Sequence, residues 1–228
     1  MSDHVHDLNA VREATDRLLS ALAGLDEAAL AGPSRLPGWT RGHVLAHLSR
    51  NADALVNVLE GRPMYAGSEE RDADIERDTP RPLDAQIADL RESTEGFVRT
   101  ATAPADWSRT VFMRNGVTEK AARIPFRRLM EVELHHVDLG IGYELEDLPD
   151  AFTAGEIEFL ANRFLGNPAV PAIVVAATDG RRWRTGRADG DPLTVTGPAP
   201  ALLGWLAGRR DGTGLETGGA PLPVLPAL

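Results

Sequence analysis

Apolar residues recur at helical spacing in four stretches of the first 140 residues. In "HVHDLNAVREATDRLLSALAG", residues 4 to 24, Val5, Leu8, Val11, Leu18, Leu19 and Leu22 form one stripe that Gly24 closes, which predicts a helix. A second helix is predicted from Thr40, a residue type suited to an N-cap, to Gly61, with Val44, Leu45, Leu48, Ala52, Leu55, Val56 and Leu59 as its stripe. Residues 62 to 82 lose the pattern to charges and prolines and predict a loop with at most a helical turn. The stripe returns from Leu83 to Ala101 through Ile87, Leu90 and Phe97. It returns again in a helix that starts near Pro125, a residue tolerated in a first turn, and ends by Gly140.

Past residue 150 the period changes. "FTAGEIEFLANRFLG" reads as a helix, whereas "AIVVAAT", "RRWRT" and "LTVTG" are short runs that fit strands, the first two separated by the turn signal Asp179-Gly180. "PAPALLGWLAG" then predicts a helix that opens on proline and closes at Gly208. The expectation is an α+β protein: a four-helix bundle over residues 1 to 150, followed by a small α/β domain over 151 to 228. The Gly- and Pro-rich end, "GTGLETGGAPLPVLPAL", keeps several apolar anchors and is not read as disordered.

Composition narrows the function. The 228 residues carry a formal net charge of −10, which works against binding a phosphate backbone, so nucleic acid is not an expected partner. No apolar run approaches the roughly 18 residues that span a bilayer, and the polar, acidic start "MSDHVHDLNA" is no secretory signal, so the expected location is the cytoplasm, away from membranes. There is no cysteine. Disulfides, thiolate metal sites and a cysteine nucleophile are therefore excluded, and any thiol chemistry needs a thiol from outside the chain.

Within this frame "MEVELHHVDLG", residues 130 to 140, is out of character for a buried helix. Glu131 and His135 are four apart and share a face, with Asp138 one turn further along it. An inward carboxylate and imidazole are costly without a cation or a hydrogen-bond network to satisfy them. The second helix carries a matching polar row of His43, His47 and Asn51. In a bundle, His47 together with Glu131 and His135 makes the ligand set of a catalytic zinc with an open fourth position. Glu133 with His136, at i and i+3, is a competing pair that spacing alone leaves open. His43 reads as an early-helix residue engaged with its own turn, His136 as facing another helix or solvent, and Asp138 as either a support for a ligand or a helix-end residue.

The segments "GWTRGHVLAHLSRNADAL", "PMYAGSEERDADIE", "EVELHHVDLG" and "LLGWLAGRRDGTG" together resemble the mycothiol-dependent maleylpyruvate isomerase family from about residue 8 to the C-terminus. The resemblance implies a DinB-like metal-binding bundle. It also implies zinc held by the histidine of an A-H-[LV] element and by the Glu and His of E-V-x-x-H-x-V-D-L-G, which match His47, Glu131 and His135. The family's active-site arginine, in an A-G-R element, matches Arg209. The implied reaction is conversion of maleylpyruvate to fumarylpyruvate with mycothiol as cofactor, in aromatic-acid catabolism through the gentisate route. A small-molecule substrate and a low-molecular-weight thiol are then the expected partners. A mycothiol S-transferase or a noncatalytic regulatory protein on the same scaffold are the rival readings, and retention of Arg209 weighs against the second of them.

Overall fold

The computed structural model describes residues 4–67, 69–103 and 105–227. By its internal contacts the chain forms two compact units that divide between Tyr143 and Glu144, where the sequence pattern put the change of character near 150. Four long helices make the first unit: α1 (His4–Leu22), α3 (Arg41–Leu59), α5 (Leu83–Thr102) and α6 (Ile124–Asp138), with the short α2 (Glu27–Ala31) between the first two. They pack in a ring, α1 on α6, α6 on α3, α3 on α5 and α5 back on α1. Most stripe positions read from the sequence lie in its interior: Val11, Leu18, Val44, Leu45, Leu48, Leu90 and Phe97 are fully buried, as is Val132, whereas Val5 is exposed. Burying each such aliphatic side chain contributes about 1.5–3 kcal/mol. This is the core that holds α3 against α6.

Two segments of this unit depart from the sequence expectation. Residues 62 to 82, read as a loop, contain the nine-residue helix α4 (Glu70–Asp78). Its sequence ERDADIERD has almost no apolar pattern; the helix is held by buried Ile75 and by Arg50 of α3, which reaches the buried Asp78 at 3.4 Å. Between α5 and α6 a small antiparallel hairpin of β1 (Thr110–Phe112) and β2 (Thr118–Lys120) turns through Asn115 and Gly116, both at positive φ. These strands of three residues are too short for a period-2 pattern to register.

The second unit, described by itself, runs α7 (Asp150–Phe164), β3 (Ile173–Ala177), β4 (Arg182–Thr185), β5 (Leu193–Gly197) and α8 (Ala199–Leu206). Its sheet has the order β4-β3-β5, with β3 antiparallel to β4 across the Asp179-Gly180 turn and parallel to β5. Gly180 takes φ +96°, which glycine adopts without a Cβ penalty. The tail is anchored: Glu216 bridges Thr196, and the Trp205 indole donates to the carbonyl of Pro223 at 3.2 Å. No described helix is long and apolar enough to cross a membrane.

Candidate metal centre

His47 is positioned by the way α3 begins. Thr40 caps the helix, its hydroxyl accepting from the His43 amide at 3.4 Å while His43 Nδ1 accepts from the Thr40 amide at 3.2 Å. His43 is thereby held by its own turn, with Nε2 facing Glu76 at 3.5 Å. One turn later His47 is buried, its ring tilted against Trp39 and set edge-on to His135 with centroids 4.8 Å apart. On α6, Glu131 and His135 present the facing pair. His47 Nε2 lies 2.9 Å from Glu131 Oε2, and His135 Nε2 lies 3.3 Å from the same oxygen. One donor atom from each of the three residues falls within 4.8 Å of the others.

Two charged or polar side chains fix the imidazoles. Asp138 accepts from His135 Nδ1 at 2.8 Å. A carboxylate can only accept, so Nδ1 carries a proton and, on a neutral ring, Nε2 is a bare lone pair aimed at an anionic oxygen. Only a cation between them, either a second proton on His135 or a metal ion, relieves that contact. Burial works against the charged imidazole, but hydrogen bonds to Asp138 and Glu131 outweigh it and raise His135's pKa. His47 goes the other way: burial dominates and lowers its pKa, against the pull of Glu131. Arg71 Nη2 stands 3.4 Å from His47 Nδ1 and can only donate, which leaves the His47 proton on Nε2, donated to Glu131. Burial alone would raise Glu131's pKa, yet the hydrogen bonds from His135 and His47 hold it well below the usual carboxylate range.

The donor set fits a divalent metal. Ligands about 2.0–2.1 Å from a tetrahedral ion sit roughly 3.4 Å from one another, close to the 2.9 and 3.3 Å found here. Two histidines and a glutamate form a three-ligand catalytic zinc set. Glu131 is the most accessible of the three, its side chain a third exposed against 7% for His47 and 13% for His135, so the cluster faces solvent on that side.

The competing pair lies elsewhere. Glu133 is buried, ion-paired with Arg17 of α1 and accepting from the Tyr143 hydroxyl at 3.0 Å. His136 is buried and stacked on Tyr143 at 4.0 Å. These residues join α1 to α6 on the face away from His47. Arg209 belongs to the second unit, where it follows Gly208, at φ +67°, off the end of α8, with Nη1 donating to the Ala207 carbonyl at 3.2 Å. Sequence reading missed Arg71, because it lies in the charged stretch taken for a loop. It also missed Arg128, one turn before Glu131: fully buried, it donates to the Leu48 carbonyl and Asn51 Oδ1 of α3 at 2.8 and 2.9 Å and to Thr94 of α5 at 3.3 Å. The inward Asn51 was the available signal for it.

A four-helix bundle carrying a two-histidine, one-glutamate cluster, followed by a separate α/β unit, defines a class of bundle proteins with a candidate catalytic metal centre. Residues 11–140 match the family model described as mycothiol maleylpyruvate isomerase N-terminal domain, and residues 147–227 match the model of that family's C-terminal domain. The chain belongs to the mycothiol maleylpyruvate isomerase family. Among solved structures it is similar to a mycothiol-dependent maleylpyruvate isomerase, with a TM-score of 0.89 at 25% identity over 99% of this chain and 97% of the other. A histidine-to-alanine variant of a mycothiol-dependent maleylpyruvate isomerase gives 0.88 at 24% identity over the same shares. No curated protein matches the sequence.

Proposed function

We propose that the protein is a mycothiol-dependent isomerase that converts maleylpyruvate to fumarylpyruvate, with zinc held by His47, Glu131 and His135. The observation that carries this reading is the convergence of those three side chains on one point in a chain whose two units both match the family. A metal bound there supplies a Lewis-acid position at which a thiol loses its proton. The thiol supplies a reversible addition to the double bond, and it must come from outside because the chain has no cysteine.

The protein's own residues hold and orient. Asp138 keeps His135 in the tautomer whose Nε2 lone pair faces the centre. Glu131 stays anionic at any neutral pH and contributes the negative charge of the ligand set. His47, kept neutral by burial, needs no proton removed beyond the one it shares with Glu131. Arg209, always charged and with a planar two-donor fork, is the residue we assign to a substrate carboxylate and to the enolate charge that builds beside it.

The test is turnover. Zinc-loaded protein is incubated with maleylpyruvate with and without mycothiol, and both product and free thiol are followed. Fumarylpyruvate forming only with the thiol present, and the thiol unchanged at the end, is the expected result. Full turnover in thiol-free buffer overturns the reading, and accumulation of a stable thiol conjugate replaces it with an S-transferase.

A further inference from the structure

The run RRWRTGR, residues 181 to 187, gives the second unit a basic stretch that the metal centre does not use. Arg181 is committed to its own turn, its Nε donating to Asp179 at 2.8 Å. The residues that follow form β4, an edge strand of the β4-β3-β5 sheet. Thr185 Oγ1 donates to the Ala161 carbonyl at 2.7 Å, so Thr185 and, two residues before it, Trp183 face α7. Arg182 and Arg184 stand on the opposite face, and both are exposed. The register sets Arg184 in a row with Val174 and Thr194, and Arg182 in a row with Ala176 and Thr196, while Glu216, bridged to Thr196, lies on the far edge. Among the described residues the guanidinium groups of Arg182, Arg184 and Arg187 have no ion-pair or hydrogen-bond partner.

The backbone of Arg182 and Arg184 is open as well. The Ala177 amide donates to the Arg181 carbonyl at 2.9 Å, and hydrogen-bonded pairs alternate along an antiparallel ladder, so the next such pairs are Val175 with Trp183 and Ile173 with Thr185. The amides and carbonyls of Arg182 and Arg184 point off the outer edge, where no group among the described residues bonds to them. Beyond Arg184 the edge closes: the Gly166 amide donates to the Gly186 carbonyl at 2.8 Å, and the Arg187 amide to the Val170 carbonyl at 3.0 Å. Charge on an edge strand works against pairing with a second copy. Antiparallel pairing of β4 with β4 would set Arg182 opposite Arg184 twice, like charge against like. A phosphate chain fits no better, because it offers acceptors alone, which leaves the edge carbonyls without donors, and the net charge of −10 repels it. A polypeptide brings both donors and acceptors, and acidic side chains on it match the arginines.

We propose that the outer edge of β4 is a docking site for an extended acidic segment of another protein, which adds as a strand beside Arg182 and Arg184 with its carboxylates on their face of the sheet. Main-chain bonds supply the pairing, and the arginines select for acidic side chains. The inference is independent of the chemistry of the metal centre.

The probe is a labelled octapeptide of alternating glutamate and threonine, which as a strand sets its carboxylates on one face. A lysine-threonine counterpart and a single-stranded thymidine oligonucleotide are the controls. Binding to the full-length wild type and to the double variant Arg182→Ser, Arg184→Ser is followed by fluorescence anisotropy, and hydrogen exchange of the Arg182 and Arg184 amides is followed in the wild type by NMR. The expected result is that the glutamate peptide binds wild type, weakens at least tenfold in the double variant, and weakens as salt is raised. The lysine peptide and the oligonucleotide do not bind, and both amides exchange more slowly when the glutamate peptide is present. No binding by wild type, or equal affinity in wild type and double variant, overturns the proposal. Binding that leaves the exchange of both amides unchanged overturns it too, since a charge attraction without strand pairing would then be the whole effect. Tighter binding of the oligonucleotide than of the peptide overturns it in favour of a phosphate-backbone site. The exchange measurement is made on wild type, so it decides the matter even where the double variant fails to fold.

Discussion

Asp138 and His135 are joined by a 2.8 Å hydrogen bond along one face of α6, and that bond decides which nitrogen of His135 is available to a metal. Asp138 is itself buried, so the bond is shielded from water. In metal sites such carboxylate supports typically govern 10–100-fold of affinity. Asp138→Ala is expected to retain the fold and lose zinc affinity by a factor on the order of 10–100. Asp138→Asn keeps an accepting oxygen and is expected to fall between the two. Competition with a chromophoric chelator measures both, and wild-type affinity in Asp138→Ala would demote the residue to a helix-end role.

The same bond makes metal binding depend on pH. Zinc requires His135 without the proton on Nε2; in the metal-free protein that proton faces Glu131 while Asp138 holds the one on Nδ1, and although burial opposes the charge these two bonds raise the pKa above the ordinary value of 6.5. Zinc affinity should therefore climb with pH until His135's raised pKa is passed, and then level off. His135's own contribution to the stability of the metal-free protein should show the opposite trend, with the lowered pKa of His47 acting the other way. A group whose folded pKa is raised contributes fully below its unfolded value and loses that contribution as pH rises through the folded one. Chelator competition and thermal melts between pH 5 and 9, with and without zinc, read the two slopes; parallel slopes would mean that His135 does not exchange a proton for the metal.

How far the site was legible follows from which residues lie on strong periodic helices. His47, Glu131 and His135 sit on α3 and α6, whose apolar stripes fix the faces, so four-residue spacing made them candidates for one site in a bundle. Spacing left Glu133 and His136 open because both pairs lie on α6, and only the packing of α1, which brings Arg17 to Glu133, separates them. Arg71 and α4 were illegible for a different reason. The nine residues ERDADIERD hold one buried apolar side chain, so the helix is made by tertiary contacts to Ile75 and Asp78 rather than by a pattern.

Ligand substitutions separate the two pairs in solution. His47→Ala, Glu131→Ala and His135→Ala are each expected to abolish tight zinc binding, because two protein ligands remain of three. His43→Ala should keep zinc, since its Nδ1 serves the helix cap, and so should Glu133→Gln, since Glu133 serves Arg17 and Tyr143. Metal analysis after dialysis against weak chelator checks all five. Loss of zinc in Glu133→Gln with retention in Glu131→Ala would move the centre to the other face of α6.

Arg128 ties the two ligand-bearing helices together beneath the cluster. Burial pushes its guanidinium down to about 10 against the attraction of Glu131 and Asp53. Arg128→Met fills much of the same volume but leaves the Leu48 carbonyl, Asn51 and Thr94 without their donor. Each such buried group costs about 1–3 kcal/mol, and a loss of about 3 kcal/mol corresponds to roughly 6–12 °C in Tm for a chain of this size. Zinc affinity should fall as well, because α3 and α6 lose a shared anchor. A melt within 2 °C of wild type would show that the surrounding structure, or water, takes over those acceptors.

Arg209 and Arg210 provide a matched comparison in the second unit. Both follow α8 after Gly208, but Arg210 is committed: its two terminal nitrogens meet Glu146 at 2.6 and 2.7 Å, and this pairing lowers the Glu146 pKa. Arg209 Nη1 donates to the Ala207 carbonyl at 3.2 Å. Arg209→Lys is expected to keep the fold and the zinc while kcat/KM falls on the order of 100-fold or more, because an ammonium keeps the charge without the planar fork that fits a carboxylate. Arg210→Lys should leave kcat/KM close to wild type and cost at most about 1 kcal/mol of stability, the usual range for an exposed pair. That small contribution should vanish as pH falls through the lowered pKa of Glu146. Wild-type kcat/KM in Arg209→Lys would remove the residue from substrate binding.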